Sequence, residues 1–239
     1  MEHFVKKYDS HSAAIAMESP NVLSGISQHD FIVFGYPVYF SNAPKIVQDF
    51  IQNNAAHFRA KKIFIIATMG LFSGDGTGCT ARLFQKYGAA IIGGLHLKMP
   101  DSIGDEKVLK RTAEKNRSLI AEADRKIEAA VQKLKFNNAP REGLGFLYHM
   151  AGLFGQRLWF YGKSTSYKKK PDIDTAKCIG CGKCVDLCPM KNLSIENGKA
   201  VSSNQCTLCY RCFSHCPAKA ITILGKKVYE QWEFTDVLK

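Results

Sequence analysis

Eight of the nine cysteines in this 239-residue chain lie between Cys178 and Cys216, in two runs that repeat at an offset of 28 residues. The first run reads Cys178-Ile-Gly-Cys181-Gly-Lys-Cys184-Val-Asp-Leu-Cys188-Pro189. The second reads Cys206-Thr-Leu-Cys209-Tyr-Arg-Cys212-Phe-Ser-His-Cys216-Pro217. The repeat extends past the cysteines: Ile173 matches Val201, Leu193 matches Ile221, and Ile195 matches Ile223. Asn197-Gly198, set between apolar runs, predicts a tight hairpin turn. No apolar h-region opens the chain and no 18 consecutive residues are apolar, so the reading is of a cytoplasmic protein without a spanning segment. In a reducing compartment, paired cysteines point to metal ligation and away from disulfides.

The spacing C-x2-C-x2-C-x3-C-P is that of bacterial [4Fe–4S] sites. Three thiolates spaced three apart reach three irons of a cube only if the loop curls around it. Gly180 and Gly182 permit that curl and bring backbone N–H groups toward the sulfurs. The fourth cysteine of such a run serves the other cluster in two-cluster proteins. The expected ligands are therefore Cys178, Cys181, Cys184 and Cys216 for one cluster, and Cys206, Cys209, Cys212 and Cys188 for the other. A four-cysteine zinc site would have no use for the third cysteine of each run. His215 reads as a surface or outer-shell residue, and Tyr210 and Phe213 as packing that keeps water from a cluster.

The first 140 residues read differently. Short apolar runs at 31–35, 62–68 and 90–99 predict strands covered on both faces, with a weaker strand at 12–17. Helices are expected after Pro44, over 80–87 and over 105–135, the last ended by Asn137, Asn138 and Pro140. Strands alternating with helices give a parallel α/β sheet, and ligands bind such sheets beyond the carboxyl ends of the strands. Those ends carry the loops 35–42 and 68–80. Apolar residues make up 46% of the chain, enough for a buried core. Residues 141–161 predict a linking helix whose stripe of Leu147, Met150, Phe154, Leu158 and Tyr161 packs on the first domain, or else meets a partner or a membrane surface. A basic connector follows over 162–170. The expected domains are thus 1–140, a linker at 141–170, a two-cluster domain at 171–225 and a tail at 226–239.

The formal charge is +12. Two oxidised clusters would lower it to about +8, which favours a redox partner acidic at its docking face. Nothing in the pattern points to nucleic acid. Lys168, Lys169 and Lys170 are either solvated or dock an acidic partner or anionic lipid.

The cysteine segment resembles bacterial two-cluster ferredoxins. The run Asp30-Phe-Ile-Val-Phe-Gly-Tyr-Pro37-Val-Tyr39 together with Ala67-Thr68-Met69-Gly70 resembles flavodoxins. Together they are similar to EFR-type flavodoxin–ferredoxin fusion proteins of anaerobic bacteria. The resemblance implies a flavodoxin-like sheet joined to a small α+β ferredoxin domain. Pro37, Tyr39, Thr68, Met69 and Gly70 would lie beside an FMN ring. It also implies a departure: the first strand and its phosphate loop do not precede Glu2–Tyr8, so the domain is either N-terminally incomplete or has lost its flavin. Ser73–Thr80 could stand in as a phosphate loop or serve as ring wall or connector. Cys79, His96 and His149 read as packed residues. No Ser/His/Asp or Cys/His arrangement reads as catalytic.

Three functions follow from these readings. The leading one is electron transfer through two [4Fe–4S] clusters, coupled or not to a flavin. The second is an FMN-dependent reductase fed by the clusters. The third is a docking module anchored by Lys168–Lys170 and Arg157.

Overall fold

Three apolar runs form the parallel sheet that the sequence predicts. The computed structural model describes residues 1–158 and 167–231. Strands β1 (Phe31–Pro37), β2 (Lys62–Met69) and β3 (Ala90–Lys98) are hydrogen-bonded in that order, all parallel. Seven of the eight residues of β2 are part or fully buried, as the middle strand of a sheet covered on both faces requires. Around the sheet lie α1 (Glu2–Tyr8), α2 (Val22–Gln28), α3 (Lys45–Asn53), α4 (Ala55–Phe58), α5 (Gly76–Lys86) and α6 (Ala113–Lys135). Odd and even residues of β1 feed opposite cores. Phe31 and Val33 join Phe4, Phe64, Leu95 and Ile127 on one face. Ile32, Phe34 and Tyr36 join Val47, Ile51, Phe58 and Phe84 on the other.

Each strand lies where its apolar run predicts, but residues 12–16 form no strand. The helix expected over 80–87 starts earlier, at Gly76, with Asp75 as N-cap. The outer edge of β3 is partly covered: Gly94 N–H donates to Pro140 O (2.8 Å) and Glu142 N–H to Gly94 O (2.9 Å).

The chain divides into two compact units, and the division differs from the expected one. The first holds residues 1–99 and 119–158; the second holds 100–118 and 167–231. The helix expected from Asp105 begins only at Ala113, after one short 3-10 turn at Lys107–Leu109. Asp105 is the reason. Its side chain is 1% exposed and accepts from Tyr210 Oη (2.8 Å), Ile223 N–H (2.6 Å) and Leu224 N–H (3.0 Å). An interior carboxylate with three donors outweighs the helical propensity of one short stretch.

The second unit keeps the 28-residue repeat in its backbone. Helices α8 (Lys183–Asp186) and α9 (Arg211–Ser214) are offset by that interval. Strands β5 (Leu193–Glu196) and β6 (Lys199–Ser202) form the expected hairpin, with Asn197 and Gly198 both at positive φ. Strands β4 (Asp172–Ile173) and β7 (Ile221–Thr222) pair antiparallel. Helix α7 (Phe146–Gly152) and a π-helical turn (Leu153–Arg157) belong to the first unit. Tyr161, residues 162–166 of the basic connector and residues 232–239 of the tail lie outside the described residues.

Asp105→Ala is expected to destabilise the second unit by about 2–3 kcal/mol, because it leaves buried donors without an acceptor. Tyr210→Phe is expected to cost about 1 kcal/mol. The two losses combine non-additively, read as denaturant midpoints of the iron-loaded protein.

Candidate functional site

The eight cysteines of the second unit line two separate cavities. Cys178, Cys181, Cys184 and Cys216 line one. Cys188, Cys206, Cys209 and Cys212 line the other. Each cavity thus takes three sulfurs from one run and one from the other. Among the described residues no group of three or more His, Cys, Asp or Glu is arranged to hold a single metal ion. The sulfurs surround a space and do not converge on a point.

Local backbone conformation produces this arrangement. Gly180 (φ +67°) and Gly182 (φ +76°) curl the first run through the left-handed region. A Cβ at Gly180 would collide with the carbonyl oxygen of Gly198, so the hairpin turn closes against the loop. The second run makes the same curl without glycine. Leu208 (φ +58°) and Tyr210 (φ +60°) occupy the equivalent positions. Left-handed backbone is costly for such side chains. Burial of Tyr210 and its bond to Asp105 help hold it there. The sequence signal for this was the repeat itself, since neither residue alone predicts the conformation.

Backbone N–H groups reach the sulfurs, from the Gly180 curl that the sequence predicts and from residues outside it. Ala200 donates to Cys178 Sγ (3.4 Å), Leu208 to Cys206 Sγ (3.4 Å), Asn192 to Cys188 Sγ (3.3 Å) and Ala220 to Cys216 Sγ (3.4 Å). The last two bonds are related by the repeat. The electrostatic setting differs between cavities. The N–H groups of Ala200 and Gly180 pull the Cys178 thiol pKa down. Burial pushes Cys206 up to about 11 and raises Cys209 and Cys212, with neighbouring sulfurs adding to the rise. Thiolates in so dry a place need cationic ligation to persist. The donor set and the two cavities fit a pair of [4Fe–4S] clusters. Tyr210 lines the second cavity and Phe213 is fully buried in the core around it. His215 is half-buried.

The expected flavin-side residues lie at the carboxyl ends of β1 and β2. Pro37 pairs with Thr68, and Val38 N–H donates to Thr68 O (2.8 Å). Tyr39 closes a tight turn with Asn42 through Phe40 and Ser41, both at positive φ. Met69 is buried and Gly70 half-buried beyond it.

The Gly-rich loop that could have cradled a phosphate is filled by protein. A Cβ at Gly74 would strike Gly152, one at Gly76 would strike Val38, and one at Gly78 would strike the Gly143 carbonyl. Asp75, at the start of α5, is fully buried, ion-paired with Arg82 (2.6 Å) and Arg157 (2.6 Å), and within hydrogen-bond distance of His149 Nδ1 (2.9 Å). A carboxylate already occupies the helix start, so the described residues do not offer a phosphate cradle.

Three further sequence expectations change here. His149 is a hydrogen-bond partner of Asp75 and is not simply packed among apolar residues. Arg157, expected as a surface anchor, has a mostly buried side chain. The linking helix is also turned over: it presents His149, Gly152 and Arg157 to the Asp75 loop, while Leu147 is 81% and Phe154 64% exposed. Ion pairing of a buried carboxylate outranks the apolar stripe on which the expectation rested. Cys79 is held at this junction with Arg157 Nη1 3.3 Å from its sulfur, and burial raises its pKa. His96 bridges the same loop: Ser73 Oγ lies 3.0 Å from Nδ1 and Thr77 Oγ1 3.2 Å from Nε2. Burial lowers the His96 pKa to about 4.

Comparisons with known proteins agree on the cysteine segment. A model of the 4Fe-4S dicluster domain matches residues 170–217. Ferredoxin-2 of Desulfomicrobium norvegicum is 59% identical over 29 residues, 12% of this chain and 49% of that protein. Ferredoxin-3 of Desulfocurvibacter africanus is 52% identical over 33 residues, 14% of this chain and 54% of that protein. The chain spans about half the length of these curated relatives. Among solved structures, the two-electron reduced flavodoxin of Megasphaera elsdenii overlaps 55% of this chain and 85% of its own. Its identity is 21% and its TM-score 0.38. A flavodoxin from the domain Archaea overlaps 56% and 87%, with 12% identity and a TM-score of 0.38. The chain joins a parallel α/β unit to a segment that matches a 4Fe-4S dicluster domain.

Gly180→Ala is expected to lower iron content and to cost about 1–2 kcal/mol, from left-handed backbone and the collision with Gly198. Iron-to-protein ratio and unfolding midpoint check it. The His96 pKa is lower folded than unfolded, so acidification from about 6.5 to about 4 protonates the unfolded chain first and removes stability. The loss is about 1–2 kcal/mol for a partly exposed ring. His96→Gln is expected to abolish that share, read as a narrowing gap between the unfolding midpoints of variant and parent as pH falls.

Proposed function

We propose that this protein is a one-electron carrier whose second unit holds two [4Fe–4S] clusters with crossed ligation. The observation that supports this most is the sorting of eight sulfurs into two cavities, each drawing three from one run and one from the other. Cys178, Cys181, Cys184 and Cys216 hold one cluster; Cys206, Cys209, Cys212 and Cys188 hold the other. When bound, each cluster supplies a one-electron couple. The chain sets the surroundings. Backbone N–H groups stabilise the ligating sulfurs, and Tyr210, Leu193 and Ile223 keep water from the inner site.

The partner is a redox protein with an acidic docking face. Lys168 and Lys169 are exposed beside the inner cavity, where Cys206 N–H donates to Lys168 O (3.2 Å) and Asn192 Nδ2 to Lys170 O (3.0 Å). Their ammonium groups are therefore carried on backbone tied to the cluster rim, and they attract an acidic surface in a salt-dependent way.

A flavin coupled to the clusters is the second reading, favoured by Pro37, Tyr39, Thr68, Met69 and Gly70 at adjacent strand ends. The filled Gly-rich loop opposes it, and the described residues leave the FMN phosphate without a cradle. FMN titration followed by flavin fluorescence decides between the two: quenching at micromolar protein revives the reductase reading, and none leaves the carrier alone.

Anaerobic reconstitution is expected to give about eight irons per chain, with matching acid-labile sulfide. Cys188→Ser is expected to halve the iron and to remove the paramagnetic signal of the cluster held by Cys206, Cys209 and Cys212. A colourless zinc protein would overturn the proposal. Loss of the other cluster's signal would overturn the crossed assignment alone.

A further inference from the structure

We infer that Asn192 is a positioning residue for the inner of the two cysteine sites, the one lined by Cys188, Cys206, Cys209 and Cys212. Its side chain braces the backbone beside two of those sulfurs and so raises the reduction potential of the cluster they hold. The inference rests on the two-cluster reading and names what sets the two sites apart.

The 28-residue repeat brings the difference out. Asn192 and Ala220 are equivalent positions, each four residues after the last cysteine of its run. Each gives its backbone N–H to that cysteine's sulfur, Asn192 to Cys188 (3.3 Å) and Ala220 to Cys216 (3.4 Å). The side chains differ. Ala220 carries only a buried methyl group, whereas Asn192 carries an amide at 1% exposure. An amide stays inside a protein when its polar atoms are matched.

Three segments of chain match them. Nδ2 donates to Lys170 O (3.0 Å) and to Ser202 Oγ (3.2 Å), and that hydroxyl in turn donates to Lys170 O (3.0 Å). Oδ1 accepts the N–H of Gln205 (2.6 Å), the residue before Cys206. Ser203 N–H closes on Asn192 O (2.8 Å). One buried amide thus joins the backbone beside Cys188, in the first run, to the backbone beside Cys206, in the second. At the outer site the equivalent of Gln205 is Lys177, whose N–H goes to Asp174 O (3.1 Å), three residues back on exposed chain. Ala220 has no polar side chain with which to span the runs there.

Burial explains why one site carries the brace. Reduction adds a negative charge, and a dry site disfavours it. Around the inner sulfurs Cys212 is 8%, Tyr210 2% and Phe213 0% exposed, whereas Cys181 opens the outer site to water. N–H dipoles aimed at ligating sulfurs favour the more negative state and raise the potential. A donor on braced backbone keeps its aim. Asn192 therefore offsets at the inner site a cost that solvent relieves at the outer.

The test is a redox titration of the full-length, iron-loaded protein followed by paramagnetic resonance. It compares the parent with Asn192→Ala, which makes the inner site match the outer. The inner signal is the one that Cys188→Ser removes. Asn192→Ala is expected to keep about eight irons per chain. It is expected to weaken reduction of the inner cluster about tenfold, ~59 mV downward for one electron, with the outer midpoint unmoved. Ser202→Ala takes away one acceptor of Nδ2 and leaves Asn192 in place. It is expected to shift the same midpoint the same way by about threefold, and it decides the matter should Asn192→Ala lose iron. A purely structural Asn192 would lower the unfolding midpoint and leave both potentials where they are, and that result overturns the inference. So does an equal shift at both clusters. A parent chain that holds zinc or a single cluster overturns the two-cluster reading and this inference with it.

Discussion

Eight thiols must be carried on two short loops to the walls of two cavities, and only a backbone that turns left-handed twice within each run can do it. The first run makes that turn with Gly180 and Gly182. The second makes it with Leu208 and Tyr210, which need a surrounding structure to keep them there. Asp105 is part of that structure: it fixes the Tyr210 hydroxyl and the backbone of Ile223 and Leu224 together. The stretch 100–118 is thereby drawn into the cysteine unit, although in sequence it follows β3 and runs into the first residues of α6, most of which belongs to the other unit.

The sequence exposed what is set by local pattern. Apolar runs gave β1, β2 and β3, and Asn197-Gly198 gave its hairpin. The cysteine spacing paired each run with the last cysteine of the other, the same sets that line the two cavities. Features set by single buried charges were illegible. Asp105 looks like any acidic residue at a helix start. Asp75 sits in a glycine-rich loop that imitates a phosphate site, and nothing in its neighbourhood announces Arg157, 82 residues away, as its partner. The same ion pairs turned the linking helix over, against its apolar stripe. Periodicity reports which face is greasy; it does not report which face meets a buried carboxylate.

The first unit shows how a ligand-binding architecture can be closed by its own chain. The loops at the carboxyl ends of β1 and β2 are where parallel sheets take ligands. Here Gly152, Val38 and Gly143 pack against Gly74, Gly76 and Gly78, and a carboxylate sits at the start of α5. Gly74 and Gly78 serve close approach of backbone to backbone, and Gly76 that of the Val38 side chain.

The two cysteine cavities differ in depth. Cys181 and Ile179 face solvent at the first, whereas Cys212, Tyr210 and Phe213 are buried about the second. Dissolved oxygen and peroxide therefore reach the outer set of sulfurs first. Were clusters bound at both, air would bleach them in two stages, with the shallow site sacrificed while the deep one persists.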